Sequence, residues 1–177
     1  MKSKLLAISA IGASFTALAL TLGVYFNVAE FIALVLASVF VILPIYYNSY
    51  KACLLTYFAG GFLGIILGAF NIFNIVVPSY FLFFGLYPIL RLLMLEKGVN
   101  KIIQIVIGVV WSIAYFYGLY FFGTLVLNLT MEDMPILVVK YIYFLIPIFS
   151  VLFYFIFDRY IVKVKILIDK YLDKIIK

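Results

Sequence analysis

The stretch Ala59–Pro88, AGGFLGIILGAFNIFNIVVPSYFLFFGLYP, decides the fold. Gly60, Gly64 and Gly68 are four apart, so on a helix they form one smooth stripe. Lipid tails give apolar helices no hydrophobic reason to associate, and in a bilayer such a stripe lets a neighbouring backbone come close. The pattern breaks at Asn71 and Asn74 and restarts at Pro78 with a run rich in aromatics. It reads as the inner hairpin of a small membrane bundle, with the three glycines as helix-packing positions.

Composition points the same way. Of 177 residues, 68% are hydrophobic and only 11% charged, with a mean hydropathy of +1.29. That balance excludes a soluble globular domain. A span needs roughly 20 apolar residues, so the chain has room for six spans and little else. The net charge of +6 comes without any basic exposed domain that would suit nucleic acid. The single cysteine, Cys53, can form no internal disulfide, and the absence of histidine removes imidazole ligands and His-dependent catalysis.

In chain order, the first span is expected from about Leu5 to Phe26, behind Lys2 and Lys4. Its apolar run is longer than the 7–15 residues of a signal-peptide core. The following spans are expected over Phe31–Tyr47, Lys51–Phe70, Ile75–Leu95 and Ile102–Leu127, and the sixth from after Pro135 to near Phe157. Pro88 should kink the fourth span and free a carbonyl one turn earlier. Arg91, three residues further on, is expected to snorkel to the nearer interface.

The tail Asp158–Lys177 separates from this six-span domain, residues 1–157, by composition. Ile161, Val164, Ile168, Leu172 and Ile175 keep helical spacing, and Arg159, Lys163, Lys170, Lys174 and Lys177 share the opposite side. An amphipathic basic helix of this kind lies on an anionic leaflet or docks to a partner, with the lipid bilayer the favoured surface. Lys2, Lys4, Lys51, Arg91, Lys97, Lys101 and the tail all fall at one end of the spans. The positive-inside rule makes that end cytoplasmic, with both termini inside a plasma membrane. The other end holds Glu30, Asn71, Asn74, Glu132 and Asp133, with Lys140 as its only cation. The expectation is an all-α polytopic protein: six transmembrane helices and a C-terminal amphipathic basic helix.

Absent residue types narrow the function. No carboxylate is placed deep in a span, where ion-coupled transporters and pumps normally hold their coupling ion. Metal and serine-type catalytic sets are missing as well, so the chain reads as a non-enzyme with no cofactor or metal implied. Lys140 is the odd residue. It either snorkels to the outer headgroups or pairs with Glu132 or Asp133, or else it faces a cavity and meets an anionic group on a ligand. Trp111 and Tyr115 are spaced i, i+4 and share one face of the fifth span. With Asn74 and Tyr80 at the outer end of the opening hairpin, these residues make up the candidate substrate-binding set. Asn128-Leu129-Thr130 forms a glycosylation sequon that is taken as chance.

Ser9, Ala13 and Ala17 recur four apart on the first span, a small-residue face suited to packing inside the chain or to docking. Small size, six spans, termini on one side and this alanine-rich first span together resemble the substrate-binding S components of energy-coupling factor transporters. The resemblance implies uptake of a vitamin or related micronutrient, bound near the outer face, with a transmembrane coupling subunit and an ATPase module as partners. It also implies that Ala13 and Ala17 match the A-x-x-x-A face by which such subunits dock. The alternative is a small structural or scaffolding membrane protein without a ligand, of the rod-shape-determining kind.

Overall fold

A computed structural model of the chain describes residues 2–71, 74–125 and 136–176. Among them there is helix and turn but no strand. Helices α1 (Lys2–Tyr25), α2 (Glu30–Val41) and α3 (Tyr50–Leu67) are followed by α4 (Val76–Ser79), a π-helical turn (Tyr80–Phe84) and α5 (Leu86–Glu96). Helices α6 (Lys101–Leu125) and α7 (Ile136–Ile176) complete the chain. Short 3-10 turns at Asn27–Ala29 and Leu43–Tyr47 connect α1 to α2 and α2 to α3. With α4, the π turn and α5 taken as one rod, six helices among the described residues are long and apolar enough to cross a membrane. The protein is an all-α polytopic bundle; the first five expected spans agree with the helices to within a few residues, while the last helix runs past its expected end near Phe157 to Ile176.

The glycine stripe finds its partner in α1. A Cβ on Gly60 would lie 2.8 Å from the Thr16 Cβ, and one on Gly64 would lie 2.9 Å from the Leu20 side chain. Gly68 sits against Val24. These pairs climb both helices together, so α1 and α3 run parallel, with α2 antiparallel beside them through Gly12–Phe40 and Gly23–Ala33. Ala13 and Ala17 are buried, at 6% and 1% exposure. They belong to the same face, with the Ala13 carbonyl 3.2 Å from the position of a Gly60 Cβ.

Just ahead of Pro88 the fourth rod contains a π turn, closed by the Gly85 N–H on the Tyr80 carbonyl at 2.8 Å. A π turn shifts the backbone register and leaves carbonyls without intrahelical donors, which cannot be left bare in hydrocarbon. Two neighbours supply them. The Tyr57 hydroxyl donates to the Phe81 carbonyl at 2.9 Å, and the Trp111 indole donates to the Leu82 carbonyl at 2.8 Å. Inside the bundle the fully buried Phe83 ring stacks on Tyr87 at 5.1 Å and on Tyr115 at 4.9 Å.

Two expectations need correcting here. Arg91 does not snorkel: it is 8% exposed and holds Asp158 through Nε and Nη2, the latter at 3.1 Å. Its Nη1 donates to Gln104, Gln104 donates to the Val99 carbonyl at 2.6 Å, and the Tyr87 hydroxyl donates to Asp158 at 2.8 Å. An arginine paired bidentately with a carboxylate can stay in a low-dielectric interior because both charges are compensated. Asp158 thereby ties α7 to α5 and α6.

The second correction concerns the tail. Helix α7 is one uninterrupted run of 41 residues, with Pro147 inside it and no break at Asp158. Ile161, Val164 and Ile168 are buried at 0%, 7% and 7%. Here α7 packs on the Leu43–Tyr47 turn as well as on α5. This part of the apolar stripe is therefore covered by the protein itself and is not free for lipid, because the ion pair at Asp158 holds the helix against the bundle. Arg159, Lys163, Lys170 and Lys174 stay exposed on the other side.

Candidate functional site

Of the candidate substrate residues, Trp111 and Tyr115 share a cleft, and Asn74 and Tyr80 do not line it. The Asn74 carboxamide oxygen accepts the Val76 N–H at 2.9 Å, so it closes a local turn just before α4. Tyr80 is fully buried and donates to the Tyr57 carbonyl at 3.0 Å, facing α3. Trp111 is committed to the Leu82 carbonyl. Together with Tyr115, Leu82 and Val110 it lines an apolar cleft of about 590 Å³ on the outer surface of α6. Val106 and Val110 in that cleft are 54% and 61% exposed, the exposure of a lipid-facing wall. The Lys140 side chain lies outside the described residues, as do Asn128, Thr130, Glu132 and Asp133.

Tyr115 is the exception, because it also lines a second cleft, of about 280 Å³, where α2, α4, the π turn, α6 and α7 meet. Glu30, Phe31 and Leu34 reach it from α2, and Ile75, Ser79 and Phe84 from the fourth rod. From α6 come Tyr115, Phe116 and Leu119, and from α7 Phe149 and Phe153. Each helix contributes residues one turn apart: Phe31 and Leu34, Tyr115 and Leu119, Phe149 and Phe153. The aromatic rings support one another at the edges. Phe116 meets Phe149 at 5.4 Å and Phe153 at 5.2 Å, both edge to face.

Polar groups in this cleft are few and placed on rigid helices. Ser79 and Tyr115 are buried at 1% and 6% and both line the cleft. Glu30 sits in the first turn of α2, where an acidic side chain also suits the helix dipole. An apolar, aromatic cleft with a small number of fixed polar groups is the usual form of a small-molecule site. Of its residues, sequence reasoning found Tyr115 alone. Glu30 stood out only as a boundary residue. The i, i+4 pair Phe149 and Phe153 was the available signal, but it is indistinguishable from core packing until α2 is placed opposite.

Ser9 and Ala13 border a third opening, a groove of about 340 Å³ between α1 and α3 that also takes in Lys2, Ala10, Ala52 and Ala59. Ala17 does not line it and is buried at 1% exposure. Ala13 and Ala17 are thus buried within the chain, beside the Thr16, Leu20 and Val24 positions that meet the glycines of α3.

No described group of histidine, cysteine, aspartate or glutamate is arranged to hold a metal ion. Compared with protein-family models, with curated proteins and with solved structures, the chain has no match.

Proposed function

We propose that this chain is a membrane-embedded binding subunit that takes a small molecule from one side of the membrane and depends on partner subunits for energy, as the S components it resembles do. The observation that carries this reading is the aromatic cleft between α2, the fourth rod, α6 and α7. Its polar groups, Ser79, Tyr115 and Glu30, are more than a lipid-filled gap requires. In this reading the basic end is cytoplasmic, by the positive-inside rule. A coupling subunit then meets the groove beside Ser9 and Ala10 rather than the covered Ala17.

The test is native mass spectrometry of the full chain purified in mild detergent, beside Leu119→Trp. Leu119 is a partly exposed lining residue, so the indole fills the cleft without replacing the core. A small molecule should accompany the parent chain and be lost from a folded Leu119→Trp. A molecule retained equally by both would remove the cleft as its site.

A scaffolding role is the second reading. It draws on the tight α1–α3 pairing, and it predicts that no small molecule accompanies the chain.

A further inference from the structure

Among the residues lining the α2–α7 cleft, Glu30 is the single charged one, and six of the others are aromatic. Glu30 makes no ion pair among the described residues, whose two pairs are Arg91–Asp158 and Lys165–Asp169. A half-buried carboxylate beside hydrocarbon walls is costly unless something brings it a counter-charge. The rings are also arranged for more than filling space. Phe31 stands at 85° to Phe84, with centroids 6.1 Å apart, and at 68° to Phe153 at 6.2 Å. Phe84 lies edge-on to Tyr115 at 84°. Phe31 and Phe149, both lining the cleft, are each 58% exposed, so much of each ring is open to a partner, and an aromatic face carries the negative end of the ring quadrupole.

We infer that this cleft binds a small organic cation, a quaternary or protonated amine on a compact apolar body, with its charge held between Glu30 and the ring faces. Aromatic faces attract such cations without needing to hydrate them, and more strongly where water is excluded. An anion would meet both the carboxylate and the ring faces unfavourably. The Ser79–Tyr115 pair then orients the remaining polar atom of the ligand. This assignment rests on the proposal that the cleft is a ligand site, and it reverses the expectation of an anionic ligand drawn from Lys140.

The experiment uses the full chain in nanodiscs, with empty nanodiscs as background, and three probes of matched shape. Benzyltrimethylammonium is the cation, neopentylbenzene its neutral carbon isostere, and phenylacetate the anion. Radiolabelled benzyltrimethylammonium should bind saturably. Its affinity should fall about tenfold or more in Glu30→Gln, which keeps shape and removes charge. Leu119→Trp should abolish the binding, and neither the neutral isostere nor phenylacetate should displace the label at equal concentration. Saturable binding of phenylacetate without binding of the cation would overturn the ligand class while leaving the binding-subunit reading standing. Cation binding unchanged in both Glu30→Gln and Leu119→Trp would overturn the assignment of the cleft. If neither charged probe binds and no small molecule accompanies the purified chain, the inference and the binding-subunit reading fall together.

Discussion

Helices α1 and α3, and helices α6 and α7, are two pairs in one bundle held by opposite means. Where α1 meets α3, small residues let the backbones close: Gly60 on Thr16 and Gly64 on Leu20, with Ala13 and Ala17 alongside. Where α6 meets α7, bulky rings stand between the helices, and hydrogen bonds mark the crossing. Ser112 donates to the Ser150 carbonyl at 3.0 Å, and Tyr117 donates to the Tyr143 carbonyl at 2.8 Å. Lipid offers no hydrophobic drive for either pair, so each must rely on contact or on polar bonds. The first solution closes the helices along the glycine seam and leaves a groove only toward the Lys2 end of α1. The second keeps its rings around an opening shared with α2 and the fourth rod, the aromatic cleft.

The sharpest way to break this comparison is to cut the polar tie of the α7 side. Arg91→Ala or Asp158→Ala leaves the partner charge buried and should cost about 3–5 kcal/mol. The double change Arg91→Met with Asp158→Leu should recover most of it, since replacing a whole buried pair by apolar groups is often near neutral. Reversible unfolding in mixed micelles measures both. Single variants as stable as the parent would show that α7 is held by its aromatic contacts instead.

Next in size is the glycine seam. A Cβ on Gly60 has only 2.8 Å to the Thr16 Cβ, and both belong to helices that cannot easily shift. Gly60→Ala should therefore destabilise by about 1–3 kcal/mol, as overpacking does. A Cβ on Gly118 of α6 would meet open space, with no atom within 4 Å. There the same substitution should instead stabilise by about 0.5–1 kcal/mol through helix propensity. Opposite signs in the unfolding assay would confirm that the α1–α3 seam is closed at Gly60 while α6 is open at Gly118, and equal signs would end that contrast.

What was legible in the sequence follows from which signals are local. Six spans could be read because each is a continuous apolar run near the length of a bilayer, and the Gly60–Gly68 stripe because its spacing is set by one helix alone. The identity of its partner was not legible. Ala13 and Ala17 carry the same small-residue signature whether they face α3 or another protein. The Arg91–Asp158 pair was missed for a related reason. Counted along the chain, Asp158 opens a charged tail and Arg91 lies near a span end; only the folded chain brings residues 67 positions apart into one hydrogen-bonded cluster. The cleft was hidden because its rings come from α2, the fourth rod, α6 and α7, and each alone looks like core.

The smallest expected effect tests the α6–α7 crossing itself. Ser112 is fully buried, and its hydroxyl is the donor to the Ser150 carbonyl, while the Ser150 hydroxyl donates back to the Ile146 carbonyl of its own helix. Ser112→Ala removes one interhelical hydrogen bond and little volume. Bonds of this kind in membranes are worth about 0.6 kcal/mol on average, because the separated helices also find partners. A loss of that order, with the aromatic contacts at Phe116, Phe149 and Phe153 intact, would make the hydrogen bond a marker of alignment rather than the main attachment of α7. A loss several times larger would mean that the rings hold the two helices apart more than together. The cleft would then owe its shape to this single crossing, and Ser112→Ala should also reduce binding of the cationic probe, measurable in the same nanodisc assay.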